Sequence, residues 1–297
     1  MKKKIIWAID PYDENKRNLK KAYLIARRLA GGDEGIVPVF ISSLTQPYYD
    51  FDFGVYAWVD KFAVHSTADF QKTLERQGLG MLAKNAIVEF TNSSSVTSTC
   101  KKLVKVSQNQ KADCVLVFSH AKGATERFIL GSFAETLVHY AKTPVLIVNP
   151  KNLNSKMQNI LYCDDLEGNF IDHLEEVNDQ LRILKAKELI YFHAPHPIYR
   201  FSMDENNKEA RNYKSEVDKK LGSLEGAAKK GRLPFTPIVD AEWSSVPEKV
   251  VKYSKRKKAD LIVVRAKSSR LGALVGGSVT RQLLRQSSVP LLVMKET

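Results

Sequence analysis

One stretch occurs twice in this chain. The first copy, residues 111–148, reads KADCVLVFSHAKGATERFILGSFAETLVHYAKTPVLIV, and the second, 258–294, reads KADLIVVRAKSSRLGALVGGSVTRQLLRQSSVPLLVM. Both open on Lys-Ala-Asp, run through an unbroken apolar stretch, cross a loop to Gly-Ser, enter an amphipathic segment and close on Pro and a second apolar run. Gly131 and Gly277 lie 146 residues apart, as do Pro144 and Pro290. Solenoids repeat at roughly 20–50 residues, so a period this long means two copies of a domain.

Each copy dictates its own local structure. Residues 115–118 and 261–264 lack polar alternation, which predicts interior strands of a parallel sheet covered on both faces. After Ser132 the apolar residues Phe133, Leu137 and Tyr140 recur at helical spacing around Glu135 and His139. Gly131 and Ser132 stand at the helix start, where free N–H groups and a hydroxyl cap the helix or hold an anion. Pro144 and Pro290 end the helix and open the last strand. The unit is strand, loop, helix, strand, with an anion-competent corner.

The rest of the chain gives the same order twice. Strands are expected at 5–9, 36–41 and 86–90, and helices at 16–30, 61–84 and 96–110, the last capped from the serines at 93–95. Residues 149–158 are polar and aperiodic and read as the linker. Beyond it come strands at 159–163, 188–192 and 235–239, and helices at 170–187, 208–230 and 246–257. The divisions are therefore domain 1 over 1–150, a linker over 151–158 and domain 2 over 159–297. Each domain is α/β with five strands and right-handed crossovers. Two aromatic stretches, 45–58 and 193–203, occupy the same place in each half and read as packing or pocket-lining segments.

Composition narrows the function classes. A net charge of +13 divides into +6 over residues 1–150 and +7 over the remainder, so no basic tail exists. The densest basic run, 249–258, lies on an expected helix and reads as a solvated face; no nucleic-acid-binding motif accompanies it, which makes nucleic acid an unlikely partner. No run is long enough to span a membrane, and Asp10 cuts the first apolar run short of a signal peptide. Cys100, Cys114 and Cys163 are odd in number and form no CxxC, which points to reduced thiols in the cytoplasm.

The order of elements, Asp10 and Asp165 at the ends of the first strands, Ser119-His120 before the loop and Gly131-Ser132 after it together resemble a tandem universal stress protein, two UspA-type domains in one chain. The resemblance implies two Rossmann-like domains of the adenine nucleotide alpha hydrolase-like kind, each a five-stranded parallel sheet of order 3-2-1-4-5. It also implies pairing of the two last strands as an internal pseudo-dimer, and leaves a homodimer open. Members of the family that bind ATP carry Gly-x-x-Gly, nine residues, then Gly-Ser or Gly-Thr. Counting back from Gly131 puts Ala121 and Phe118 at the early glycines, and from Gly277 puts Lys267 and Val264 there. A non-glycine residue forced left-handed costs about 1–2 kcal/mol, and a ring at Phe118 projects toward the ligand.

The candidate nucleotide-binding residues are therefore Asp10, Ser119, Ala121, Gly131 and Ser132 in domain 1, and Asp165, Lys267, Gly277 and Ser278 in domain 2, in degenerate motifs. Asp10 and Asp165 also suit a plainer role, capping the turn that follows. The reading is a non-enzymatic stress-response binding or signalling module. One alternative is an ATP and magnesium switch with slow hydrolysis at domain 1; another is a binder of a different anionic or amphipathic small ligand through the aromatic stretches. Ser132 and Ser278 are also candidates for phosphorylation. Residues 272–278 nearly match a Walker A loop, but Ser278 stands where its lysine must be. His193 and His196 read as surface histidines rather than a metal pair, and no catalytic or metal-ligating set emerges.

Overall fold

Lys111 and Lys258, which open the two Lys-Ala-Asp triplets, both adopt positive φ, 50° and 52°. That kink ends a helix and turns the aspartate two residues later toward a neighbouring backbone. Lys4 N–H donates to Asp113 Oδ2 at 2.7 Å, and Asp113 N–H donates to the Lys4 carbonyl at 2.8 Å. In the second copy, Gln158 and Asn159 N–H groups both donate to Asp260 Oδ2 at 3.0 Å, and Asp260 N–H donates to the Asn159 carbonyl at 2.7 Å. The carboxylates accept charge-assisted bonds, so each triplet clamps the start of the first strand of its half.

The computed structural model describes residues 2–12, 15–43, 66–93, 95–118, 132–148, 157–184, 186–195, 208–230, 233–242, 244–266 and 278–295. The chain divides into units over residues 1–151 and 152–296. Unit 1 contains β1 (Ile5–Ala8), α1 (Lys16–Ala30), β2 (Ile36–Ser43), α2 (Thr67–Arg76), β3 (Ile87–Thr91), α3 (Val96–Asn109), β4 (Cys114–Phe118), α4 (Ser132–Tyr140) and β5 (Val145–Val148). Unit 2 contains β6 (Asn159–Cys163), α5 (Phe170–Leu184), β7 (Glu188–His193), α6 (Lys208–Lys230), β8 (Phe235–Val239), α7 (Val246–Arg256), β9 (Leu261–Ala266), α8 (Ser278–Gln286) and β10 (Leu291–Lys295). Within each unit the strands pair in parallel, in the order β3-β2-β1-β4-β5 and β8-β7-β6-β9-β10. Both orders are 3-2-1-4-5, as the resemblance implies. The order reverses between the first and second strands on one side and the fourth on the other, and ligands of open α/β sheets bind at such a switch point.

The core is the sheet of each unit and the helix faces against it. Ile5, Ile6, Trp7, Val115 and Leu116 are buried in unit 1, and Ile160, Leu161, Ile262 and Val263 hold the same places in unit 2. Helix α1 lays Leu19, Ala22, Ile25, Ala26 and Leu29 on the core and ends at Gly31, whose φ of 71° suits the left-handed cap. Serines accept the first backbone N–H groups of three helices, with Ser95 capping α3, Ser66 capping α2 and Ser245 forming a full capping box with Glu248 on α7. Strands β3 and β8 are outermost on one side of their units, and β8 carries Pro237 opposite Tyr191.

Two expectations need correction. The helix expected over 61–84 is α2 alone within the described residues. It ends at Arg76, Gly78 follows at φ 78°, and residues 80–85 form a separate 3-10 segment; a glycine placed left-handed just past a helix is a stop signal. Lys249, expected on a solvated face, is buried. Its Nζ lies 2.9 Å from Asp240 Oδ1 with both side chains closed off (0% and 2% exposed), and it donates to the Asp240 carbonyl at 2.9 Å. The pair has a counterpart in unit 1. Strand register aligns Glu89 with Asp240, and Lys102 and Lys249 each stand nine residues before their triplet lysine. Lys102 Nζ sits 3.3 Å from Glu89 Oε2, but there the side chains are 32% and 43% exposed.

One ion pair in two environments yields opposite expectations. Lys249→Met leaves Asp240 buried without its cation and should cost about 3–5 kcal/mol. Lys102→Met should cost less than about 1 kcal/mol, as read by urea unfolding of the two variants. Burial pushes the Asp240 carboxyl up, but hydrogen bonds from Lys249 and from Glu242 N–H outweigh it and hold the group below its ordinary 3.8. A carboxyl depressed on folding stabilises above its unfolded value and loses that contribution as pH falls through the folded one. The penalty of Lys249→Met should therefore be full at neutral pH and shrink as pH drops below about 4.

The thiols give a further expectation. Cys100 and Cys114 are buried, and burial pushes both thiols up to about 12; burial raises Cys163 as well. A thiol reagent at pH 8 should leave all three unmodified in the native chain and modify three equivalents after denaturation.

Candidate functional site

At the carboxyl ends of β1, β2 and β4 lies a hollow of about 300 Å³, on the switch point of unit 1. Its wall is apolar and aromatic, with Phe40 from β2, Leu103 from α3, Phe118 closing β4 and Phe133 from the first turn of α4. Among the described residues, Thr99 and Asp10 supply its polar side chains, and Asp10 the charge. The aromatic groups are braced from behind. Phe118 meets the buried Trp7 edge-on at 6.4 Å, and Phe40 meets Tyr12 edge-on at 6.0 Å.

The apolar run of β1 places Asp10 here. Ile9 N–H donates to the Val39 carbonyl at 3.0 Å, continuing the ladder one residue past the strand, and the chain then turns. Asp10 Oδ1 accepts from Tyr12 N–H at 2.9 Å, which closes that turn. Asp165 does the same in unit 2, accepting from Glu167 N–H at 3.1 Å on an exposed side chain. Both aspartates thus perform the plainer, turn-capping role. Ser132 is exposed as the first residue of α4, one position before Phe133 at the hollow, and Ser278 begins α8. Ser119, Ala121, Gly131, Lys267 and Gly277 lie outside the described residues, as do the stretch at 45–58 and most of that at 193–203.

Unit 2 builds something else at the corresponding place. Asp164, beside the expected Asp165, has a side chain only 1% exposed, and Arg265 Nη1 lies 3.7 Å from its Oδ2. Tyr162 hydroxyl donates to Asp164 Oδ2 at 2.6 Å, and Leu166 N–H donates to Oδ1 at 2.8 Å. Burial pushes the Asp164 carboxyl up; the bonds from Tyr162 and Leu166 and the Arg265 charge pull it back only in part.

His193 joins the same group, which corrects its expected surface position. Its Nδ1 lies 3.2 Å from the Asp164 carbonyl and its Nε2 3.0 Å from the Tyr213 hydroxyl. A carbonyl can only accept, so Nδ1 carries the proton and Nε2 accepts from Tyr213. Burial lowers the His193 pKa, which keeps the ring neutral. Among the described residues, no group of three or more His, Cys, Asp or Glu is placed to hold a metal ion, and no helix is long and apolar enough to cross a membrane.

The buried group is concealed in the sequence because Asp165 already stands as an acid at the end of its strand. Aligning WAID of the first half with YCDD of the second shows an acid in place of Ile9. An arginine in place of Phe118, five residues into the next aligned strand, would have completed the pair.

The profile of the universal stress protein family matches residues 1–149 and 180–295. No curated protein matches the chain. Among solved structures, a universal stress protein from Archaeoglobus fulgidus DSM 4304 is similar with a TM-score of 0.60 at 17% identity, over 99% of this chain and 98% of that one. A functionally unknown protein from Pseudomonas aeruginosa PAO1 is similar with a TM-score of 0.62 at 15% identity, over 99% of this chain and 92% of that one. At such identities the likeness is one of fold, and it extends through both halves. With two matched segments and the strand order 3-2-1-4-5 within each unit, the chain belongs to the universal stress protein family, as a tandem member with two Rossmann-like domains.

Proposed function

We propose that this tandem protein is a non-enzymatic, stress-linked binding and signalling module of the cytoplasm, and that its ligand site is the hollow of unit 1. One observation carries the reading: the wall where a nucleotide's ribose and phosphates would need bare backbone presents the ring of Phe118. No cation is among the described side chains that line it. A triphosphate would find no cation among these described side chains to balance its charges, and an apolar enclosure makes that imbalance costly. An apolar, flat body fits the aromatic wall, and Asp10 suits a hydrogen-bond donor or a cationic nitrogen on it.

Among the described residues, chemistry beyond binding lacks its groups here. Asp10 is the one ionisable side chain among the described residues of the wall, and its Oδ1 is engaged with Tyr12 N–H. Cys100, close to the hollow through its contact with the Phe133 carbonyl, is held protonated by burial and is no nucleophile. ATP with magnesium remains the competing ligand, with Asp10 at its base end and Gly131 and Ser132 at its phosphates.

Titration calorimetry separates the two. Adding ATP and magnesium should give no micromolar binding heat, and mass spectrometry of small molecules carried through purification should find an uncharged or cationic species with an apolar body. Micromolar ATP binding abolished by Asp10→Ala would overturn the reading and install the nucleotide switch in its place.

A further inference from the structure

The two units put opposite chemistry at one place. Ile5 faces Cys114 across β1 and β4, and Ile160 faces Leu261 across β6 and β9. Cys114 and Leu261 each follow a Lys-Ala-Asp triplet, so Ile5 corresponds to Ile160 and, counting on, Ile9 to Asp164. The same count along β4 and β9 takes Phe118 to Arg265. Ala8 faces Val39 and Cys163 faces Phe192, which takes Phe40 to His193. Three apolar positions at the unit 1 hollow, Ile9, Phe40 and Phe118, are therefore an acid, a histidine and an arginine in unit 2.

Asp164 and Arg265 face each other, and the His193 ring is taken up by the Asp164 carbonyl and the Tyr213 hydroxyl. Asp164 is satisfied by Tyr162, Leu166 N–H and Arg265. Arg265 is itself only 9% exposed. Helix α6 covers the group, with Tyr213 on His193 Nε2 and Lys220 Nζ donating to the Leu166 carbonyl at 3.1 Å. A ligand entering here would have to break a buried pair and leave its members without partners, which is more costly than leaving the place filled. An apolar ligand could not replace those bonds, and an anion would meet Asp164.

We propose that the chain carries one ligand site, not two, and that Asp164 and Arg265 are the specificity-determining residues that close unit 2. The inference rests on the reading of the unit 1 hollow as a ligand site for apolar molecules. It predicts that exchanging two residues adds a site in unit 2 or removes the one in unit 1. Asp164→Ile with Arg265→Phe gives unit 2 two of the three unit 1 side chains, His193 staying in place, and Ile9→Asp with Phe118→Arg does the reverse.

The test is fluorescence titration of the full chain with 1-aminonaphthalene, a neutral aromatic probe with N–H donors. The wild type should bind one equivalent, the Ile9→Asp/Phe118→Arg chain none, and the Asp164→Ile/Arg265→Phe chain two. Two equivalents on the wild type would overturn the proposal, as would one equivalent that survives Ile9→Asp/Phe118→Arg. If the wild type binds none, the reading of unit 1 falls. The pair is then judged by the unit 2 exchange, where a gained equivalent supports it and no gain in a folded chain overturns it. Asp164→Ile also strips the acceptor from the Tyr162 hydroxyl; a chain that loses its circular dichroism for that reason is replaced by one that adds Tyr162→Phe. Amide exchange on the wild type gives a readout free of any variant. Leu166 N–H, bonded to Asp164, should exchange slowly, and exchange at the rate of an open loop would overturn closure.

Discussion

Everything at the switch point depends on where the first strand of each unit stops sliding against the fourth. The aspartate of the repeated triplet settles that at the amino end, where Asp113 takes Lys4 N–H and Asp260 takes Gln158 and Asn159 N–H. A slip of one residue would turn every side chain of the strand to the other face. With the register held, the residues a few positions further along have no freedom about what they meet. In unit 1 Trp7 meets Phe118 and the wall is apolar. In unit 2 the same geometry brings Asp164 to Arg265. The chemistry of each half is thus decided by a handful of residues downstream of an identical clamp.

The paired ions behind β3 and β8 show how strongly surroundings govern what one motif is worth. Glu89 with Lys102 and Asp240 with Lys249 occupy matching positions, and both lysines lie within 3.3 Å of their carboxylate. Water screens the first pair. The second is enclosed, with Lys249 also donating to the Asp240 carbonyl and Glu242 N–H donating to Asp240 Oδ1. Unit 2 repeats the device at the switch point with Asp164 and Arg265, so it spends buried charge on specifying its interior where unit 1 relies on rings.

The duplicated architecture was readable because it rests on features written locally. Unbroken apolar runs became interior strands, β8 and α6 fell on the expected residues, and the strand order followed from the family resemblance. Burial of polar groups was not readable in the same way. Lys249 sits in a run of cations whose later members are exposed, and only the fold brings Asp240 over it. His193 likewise becomes an interior residue through Tyr213, twenty positions on, in another element. Gly78 at positive φ ends α2 well short of the helix expected over 61–84. Asp10 was found, and its bond to Tyr12 N–H explains why an acid serves there with or without a ligand.

Pro237 has a consequence for how this molecule behaves among its own copies. An outermost strand with all its amides free is a template on which another chain can continue a sheet, and proline removes a donor from that row. Strand β8 carries its proline at the middle of five residues. The margin of unit 2 is therefore a poor seed for sheet-on-sheet growth, a safeguard that matters most when a cell under duress holds many partly unfolded chains at once.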